Sequence, residues 1–195
     1  MTSYDIIKTE KKLKKNLDEE RYQHTLGVMF TSAAMAMLHD YDYVSAQMAG
    51  LLHDCAKCIP NKKKLELCEK YMIELTDFER THPYLIHAKL GAYLAREKYG
   101  VRDAEILSAI RYHTTGRPDM SRLEKIIYIA DYIEPMRNRA KNLPLIRKLA
   151  FQDLDLCMYQ ILKDTLEYLD DSENEIDETT RDAYRFYQDA GLQIP

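Results

Sequence analysis

Apolar side chains recur every three or four residues along most of the chain, which is the spacing of one face of an α-helix. The stripes before residue 131 are Leu26, Phe30, Ala33 and Met37; Val44, Met48, Leu51 and Cys55; Leu90, Leu94 and Ala95; Ile106, Ala109 and Ile110; Leu123, Ile126, Ile127 and Ala130. A further helical segment runs from about residue 145 to residue 169. No stretch alternates convincingly with a period of two, so the pattern predicts an all-α fold.

Residues that favour helix starts agree with this pattern. Asp103 precedes the apolar run AEIL, and Ser121 with Glu124 has the spacing of a capping box. Pro83 suits the first turn of a helix. These signals predict helices that begin near residues 83, 104 and 122.

The chain is expected to form one domain. It has 195 residues, no internal repeat and no linker rich in Pro or Gly. The acidic run DDSENEIDE at 170–178 is expected to end the long helix before a last helix at 179–190. We therefore expect a single helical-bundle domain over residues 1–195, with a core at about 18–170.

Composition and charge narrow the classes of partner. Hydrophobic residues make up 46% of the chain and charged residues 31%, a globular balance. The net charge of −4 argues against a broad nucleic-acid surface. The first twenty residues contain no apolar signal segment, and the apolar run at 22–38 is short and polar for a membrane span. We expect a cytoplasmic protein with no membrane or nucleic-acid partner, whose four cysteines form no disulfide framework.

The segment LLHDCAKCIP at 51–60 offers two chemistries, of which the C-x-x-C pair is the first. A structural zinc site needs four ligands, and neither Cys68 nor Cys157 has a paired ligand nearby in the sequence. A thioredoxin-like motif would need a βαβ unit, which the all-α pattern excludes. Cys55 continues an apolar stripe and is expected to fill the core, so redox or zinc chemistry at Cys55 and Cys58 is disfavoured.

The second chemistry rests on histidines and carboxylates at inward positions. His53 and Asp54 end an apolar run, and the inward candidates on other helices are His24, His87, His113 and Asp131. Each one alone is explained by an ordinary hydrogen-bonded core position, but a buried, unpaired Asp131 would be costly. A metal ion satisfies such a set best. Of the remaining histidines, His39 is interpreted as a surface residue, and His82 has a smaller claim to the site.

The order of these residues resembles a known signature. His24, then His53-Asp54, then Asp131 matches the H…HD…D pattern of the HD-domain metal phosphohydrolases, an all-α superfamily. The segments HTLGV, LLHDCAK, HAKLGAYLA, AIRYHTTGRP and EKIIYIADYIEPMR together resemble the YqeK-type branch of that superfamily. Members of that branch are symmetrical bis(5′-nucleosyl)-tetraphosphatases, which cut diadenosine tetraphosphate into two ADP. The likeness spans roughly residues 20 to 190.

The resemblance implies roles for individual residues. It implies that the metal ligands are His24, His53, Asp54 and Asp131. It also implies that the phosphates or the attacking water are faced by Arg21, His87, His113, Thr114 and Arg137. The family uses iron, whereas the mixed donor set by itself suits Fe, Mn or Zn about equally and leaves the number of ions open.

Chemical reasoning extends these roles. A polyanionic substrate needs local positive charge in a net-negative protein, so Lys57 and Arg117 join the expected phosphate contacts. Asp54 is expected to orient the water or accept its proton, and His113 to protonate the departing ADP. His87 is expected to share that task or to bind a phosphate oxygen. The tyrosines considered for stacking on adenine are Tyr84, Tyr112, Tyr128 and Tyr132.

Two other functions remain open on the sequence. An HD nucleotidase that acts on nucleoside monophosphates or a guanosine alarmone would keep the fold and change the substrate. A nucleotide-binding sensor without turnover would keep the ligand and lose the chemistry. The expected partners are a dinucleoside polyphosphate and ADP, and both a monomer and a homodimer are compatible with the chain.

Overall fold

The all-α prediction is confirmed. A computed structural model describes residues 4–171 and 175–190, and these ranges contain α-helices, a short 3-10 turn and no strand. The helices are α1 (Ile6–Leu13), α2 (Glu19–Leu38), α3 (Tyr43–Leu52), α4 (Asn61–Lys70), α5 (Asp77–Thr81), α6 (His87–Tyr99), α7 (Ala104–Tyr112), α8 (Arg122–Ile133), α9 (Leu143–Leu149), α10 (Leu154–Asp171) and α11 (Glu178–Asp189). No described helix is long and apolar enough to cross a bilayer.

The helices that carry the candidate residues pack around one core. α2 packs along α3, both helices contact α8, and α7 lies against α3, α6 and α8. α10 contacts α8, α9 and α11. A smaller apolar cluster of Ala56, Cys68, Ile86 and Leu90 fastens α4 to the start of α6. The limits of about 18–170 for the domain core stay a prediction.

The predicted apolar face of α2 is correct at Leu26, which packs against the core, and at Ala33, which is buried, and it is wrong at Phe30 and Met37. Phe30 and Met37 are 61% and 63% exposed, whereas Thr25 and Ser32 are fully buried. The Ser32 hydroxyl lies 3.0 Å from the carbonyl oxygen of Ala46 in α3. The two helices approach each other through small and polar residues, which hydrophobic periodicity does not mark.

The long helix predicted from about residue 145 to 169 is in fact two helices. α9 ends at Leu149, and α10 begins at Leu154. The Asp153 carboxylate accepts hydrogen bonds from the backbone N–H groups of Asp155 and Leu156, which caps the start of α10. The apolar pattern continues across this boundary, so hydrophobic periodicity did not predict the cap.

The predicted helix starts have mixed outcomes. Asp103 caps α7, and Ser121 with Glu124 forms the capping box of α8, as predicted. Pro83 lies instead in the turn before α6, which begins at His87. The last helix, expected at 179–190, is α11 at Glu178–Asp189. α10 is described as far as Asp171, and residues 172–174 of the acidic run lie outside the described part.

The two histidines set apart from the site also have defined places. His82 caps the end of α5 and stacks on Phe78, with ring centroids 4.1 Å apart. His39 caps the end of α2, and its Nε2 lies 2.8 Å from the carbonyl oxygen of Ala150. His39 is thus not the simple surface residue that the sequence predicts, because it links α2 to the end of α9.

Candidate metal and phosphate site

Helix ends bring the inward-facing polar residues together. α3 ends at Leu52, and His53 and Asp54 follow in the turn after it. His87 begins α6, and His113 caps the end of α7. The second turn of α2 contributes His24, and the last turn of α8 contributes Asp131. Neighbouring side chains within a helix point in different directions, but His53 and Asp54 lie beyond the end of α3 and converge, as the sequence predicts.

The donor atoms of these residues have the spacing of ligands around an ion. The Nε2 atom of His24 lies 3.1 Å from Oδ1 of Asp131 and 3.9 Å from Oδ2 of Asp54. The Nε2 atom of His53 lies 3.5 Å from Oδ2 of Asp54 and 4.0 Å from Oδ1 of Asp131. Two triads have all donor atoms within 4.8 Å of one another, namely His24, His53 and Asp131, and His53, Asp54 and His113. Ligands at about 2.1 Å from one ion are separated by similar distances.

Three buried polar atoms at the centre of this cluster have no well-directed hydrogen bond among the described residues. They are Nε2 of His24, Nε2 of His53 and Oδ1 of Asp54. Leaving such an atom unsatisfied costs about 1–3 kcal/mol. A metal ion would accept all three donors at once, so the residues fit a divalent metal.

The orientation of the imidazoles supports the same use. In His53, His87 and His113, the Nδ1 atom lies 2.7, 2.6 and 2.7 Å from the backbone carbonyl oxygen three residues earlier. A carbonyl accepts only, so each Nδ1 carries the proton. Each Nε2 is then left with a free lone pair, which is the form that binds a metal or accepts a proton.

Both carboxyl groups of the cluster are anionic. Burial by itself would raise the pKa of Asp54, but the neighbouring His53 and His113 hold it well below its ordinary value. Burial would also raise the pKa of Asp131, but the adjacent His24 and His53 and the Arg137 guanidinium lower it instead. The site therefore presents two negative charges to a cation.

His87, His113, Thr114 and Lys57 form a second polar group beside the carboxylates. The Nε2 atoms of His87 and His113 are 3.2 Å apart, and Oγ1 of Thr114 lies 3.2 and 3.1 Å from them. Nζ of Lys57 lies 3.2 Å from Nε2 of His87. Burial is the main cause that lowers the pKa of His87 to about 4, against the opposing effect of Asp54, so His87 is neutral at pH 7.

The cluster opens into a cavity of about 1050 Å³. Arg21 lies at its edge with NH1 2.8 Å from Oδ2 of Asp54, and Arg137 with NH2 2.7 Å from Oδ1 of Asp131. The cations in the described wall are Arg21, Lys57, Arg137, Arg139 and Lys141. The acids there are Glu20, Asp131, Glu134, Asp164 and Asp171. The wall is thus of mixed charge, with cations placed beside the candidate ligands.

Arg117 does not join this group. Its NH2 and Nε atoms lie 2.7 and 3.0 Å from the buried Glu124 carboxylate, and its guanidinium stacks over Tyr112. It does not border the cavity among the residues that the structure describes. Lys57 does border the cavity, and its contact with phosphate stays a prediction.

The four tyrosines considered for stacking are also separated by the structure. Tyr128 and Tyr132 border the cavity, and Tyr168, which the sequence did not single out, borders it too. Tyr84 is half exposed and packs edge-on against His82. The described tyrosines that could contact a base bound in the cavity are therefore Tyr128, Tyr132 and Tyr168.

The cysteines are not part of the site. Cys55 is buried in the hydrophobic core, with Sγ 3.5 Å from the carbonyl oxygen of Gly91, as the core-filling interpretation predicts. Cys58 is exposed and contacts Asp18. Within residues 4–171 and 175–190, no cysteine belongs to a group that could hold a metal.

A family model of the HD domain matches residues 21–136, more than half of the chain. This match begins just before His24 and ends just after Asp131, so it includes the whole donor cluster. The chain belongs to the HD-domain family. The resemblance of its ordered His and Asp residues is thereby confirmed, and the mixed imidazole and carboxylate cluster is the part of this HD domain that fits a divalent metal.

Relatives of this HD-domain chain are similar over most of its length. A Bacillus subtilis protein named "Bis(5'-nucleosyl)-tetraphosphatase, symmetrical" is 44% identical over 160 residues, which cover 80% of this chain and 83% of the relative. A Staphylococcus aureus protein of the same name is 34% identical over 94% of each chain. A crystal structure of a "predicted HD superfamily hydrolase involved in NAD metabolism" from Clostridium acetobutylicum has a TM-score of 0.91 and 40% identity, and the match covers 96% of this chain and 98% of that one.

Sequence reasoning missed one residue that contacts the donor cluster of the HD domain. Glu134 is buried, and its Oε1 lies 3.1 Å from Nδ1 of His24. The signal was a glutamate one helical turn after Asp131, in the segment ADYIEP. That spacing places the two acids on one face of α8.

Proposed function

We propose that this protein hydrolyses diadenosine tetraphosphate symmetrically to two molecules of ADP and uses a divalent metal ion. Its relatives named symmetrical tetraphosphatases support the substrate and the reaction. One structural observation supports the site: three unsatisfied donor atoms converge where the cavity meets two arginines. We place the reaction there.

The residues proposed to hold the metal are His24, His53, Asp54 and Asp131. When bound, a divalent ion supplies Lewis acidity and a water of lowered pKa, the nucleophile that anhydride hydrolysis needs at neutral pH. The family resemblance favours iron, and Mn or Zn would suit the same donors. Elemental analysis of anaerobically purified protein tests this choice.

Other side chains have proposed parts in the reaction. Water attacks the second phosphorus from one adenosine, and the bond from that phosphorus to the oxygen bridging it to the third phosphorus breaks. The departing ADP keeps this oxygen, which takes a proton. Asp54 orients the water or accepts its proton. His113 delivers a proton to the departing group from Nε2, in the form in which Nε2 has taken up a proton in addition to the one on Nδ1. His87 is neutral at pH 7, so its proposed part is to accept a hydrogen bond within the group it forms with Thr114.

Cationic side chains are proposed to hold the phosphates. Arg21 and Arg137 reach both the candidate ligand carboxylates and the cavity, and Lys57 lies beside His87. A bound phosphate would exchange these internal partners for charge-assisted hydrogen bonds of similar strength. Tyr128 and Tyr132 are proposed to pack against the base.

The proposed partners are the dinucleoside polyphosphate and ADP, not nucleic acid or a membrane. We place the protein in the cytoplasm, either as a monomer or as a homodimer. Its cysteines are free, three of them buried, which suits a reducing compartment. The net charge of −4 supports the exclusion of nucleic acid.

Product analysis in heavy-oxygen water tests the proposed reaction. The metal-loaded protein should convert diadenosine tetraphosphate to ADP alone, with the label on the terminal β-phosphate of one ADP. ATP with AMP would contradict symmetrical cleavage. A parallel panel of dAMP and guanosine tetraphosphate distinguishes the nucleotidase, because inorganic phosphate or pyrophosphate from these compounds with the dinucleotide untouched would overturn the proposal.

A further inference from the structure

The four imidazoles of the site obtain their orientation in two different ways. His53, His87 and His113 lie at helix ends, and each Nδ1 donates to a carbonyl of its own preceding turn. His24 lies inside α2, where the preceding carbonyl groups are engaged in helical hydrogen bonds. Its Nδ1 therefore needs an acceptor from elsewhere in the chain.

Glu134 is that acceptor. It follows the last residue of α8, its side chain is 1% exposed, and Oε1 lies 3.1 Å from Nδ1 of His24. Its second oxygen, Oε2, accepts a hydrogen bond of 2.7 Å from the backbone N–H of Met136. Two directional contacts thus fix the carboxylate, so it can in turn fix the ring.

The neighbouring turn of α2 makes room for this carboxylate. Gly27 follows His24 by three residues and faces the same side of the helix. A Cβ atom at Gly27 would lie 2.5 Å from Oε2 and 3.3 Å from Cδ of Glu134. Any larger residue there would displace Glu134 or push α2 away from the end of α8.

The end of α8 is itself held in place. Arg147 of α9 donates hydrogen bonds to the carbonyl oxygens of Ile133 and Glu134, at 3.0 and 3.1 Å. The backbone N–H of Glu134 donates to the carbonyl oxygen of Ala130. A guanidinium at a helix C-terminus also suits the negative end of the helix dipole. The glutamate therefore projects from a fixed backbone.

We propose that Glu134, seated against Gly27, is a positioning residue that keeps the proton on Nδ1 of His24 and turns Nε2 toward the metal cluster. The pair joins α2 to α8 at the point where each helix contributes a donor, His24 and Asp131. A carboxylate behind a ligating imidazole also raises the basicity of the ring. The inference rests on the metal-binding part of the proposed function and does not depend on the substrate.

Zinc affinity, measured by competition with a chelator on folded protein, tests this role. Glu134→Ala should weaken zinc binding by about 10- to 100-fold, the usual effect of losing such a partner. Glu134→Gln keeps a carbonyl oxygen for the ring N–H and should bind zinc more tightly than Glu134→Ala. Gly27→Ala keeps every polar group and should weaken binding in the same direction, because it displaces the carboxylate.

A matched control separates positioning from general destabilisation. Glu124 is also a buried glutamate, but it lies in the first turn of α8, at the opposite end from Glu134, and pairs with Arg117. Glu124→Ala should lower stability and leave the zinc affinity of the folded protein unchanged. Equal zinc affinities in Glu134→Ala and Glu124→Ala would overturn the proposal.

A spectroscopic test needs no variant. In the zinc-loaded, unmodified protein, ¹⁵N NMR of the His24 ring should show a protonated Nδ1 and a metal-bound Nε2. Metal on Nδ1 would contradict the inference. A protein that bound zinc in this manner and left diadenosine tetraphosphate uncut would refute the proposed substrate alone, so the two failures are distinguishable.

Discussion

Gly50 of α3 lies against Ser32 of α2 so closely that a Cβ atom at Gly50 would stand 2.6 Å from the serine Oγ. The same Cβ would stand 3.0 Å from the backbone Cα of Met29, which cannot rotate away. This contact fixes the distance between α2, which carries His24, and α3, which His53 directly follows. Packing of two backbones thus sets the separation of two candidate ligands.

Gly50→Ala should therefore destabilise the protein by about 1–3 kcal/mol, the range for overpacking a well-filled interior. Urea unfolding followed by circular dichroism measures this change. Gly91→Ala is the matched control, since its Cβ would meet neighbours only at 3.5 Å or beyond. In that variant the gain in helix propensity should offset any strain, and a loss as large as that of Gly50→Ala would contradict the packing argument.

Asp131→Ala should abolish both metal binding and turnover. The substitution removes one of the two anionic carboxylates beside the imidazoles of His24 and His53, and with it one of the four proposed ligands. Arg137→Ala should retain the metal and weaken substrate binding and rate together, because its guanidinium neutralises phosphate charge. Metal content by mass spectrometry and steady-state kinetics distinguish the two roles, which would be reversed if Arg137→Ala alone lost the metal.

Arg117 and Arg21 provide a second comparison between arginines. Arg117 is paired with the buried Glu124, so Arg117→Ala should lower stability by about 1–3 kcal/mol by leaving a buried carboxylate without its cation. The affinity for ADP should hardly change. Arg21→Ala removes a cation at the cavity and should weaken ADP binding about tenfold or more. Calorimetric titration of both variants with ADP tests this, and a matching loss in Arg117→Ala would restore its expected phosphate contact.

The cysteine variants test whether the C-x-x-C spacing has any chemical role. Cys58→Ser should have the metal content, activity and stability of the unchanged protein, because the side chain is exposed. Cys55→Ser should retain metal and activity within a few-fold, with some loss of stability from a hydroxyl in the core. Loss of bound metal in the folded double variant would show that the thiols are ligands after all.

The donor cluster could be predicted because polar residues stand at positions where the helical pattern calls for apolar side chains. Asp131 stands within the apolar run IIYIADYI, and His113 continues an apolar stripe, so each signalled an inward polar group before any contact was known. The order of the His and Asp residues along the chain then indicated the HD-domain family. If these inward histidines and carboxylates bind one cation, the helix ends that carry them must lie close together.

The rest of the site depends on partners that sequence spacing does not specify. Arg117 was expected at the phosphates, but Glu124, seven residues later, holds it away from the cavity. Glu134 lies 110 residues from His24 in the chain, so their contact emerges only from the docking of α8 on α2. The exposed face of α2 was misassigned for a related reason, because Ser32 is buried by its fit to α3 and not by its hydrophobicity.

His24 and Asp131 approach within 3.1 Å although they belong to helices far apart in the sequence. An ion bound to both residues would link α2 to α8. In an unfolded chain the two donors are far apart and cannot bind one ion together. Binding free energy would then be added to folding free energy, so the melting temperature would rise with the concentration of free metal. The thermal stability of the protein would thus report the concentration of free metal in its surroundings.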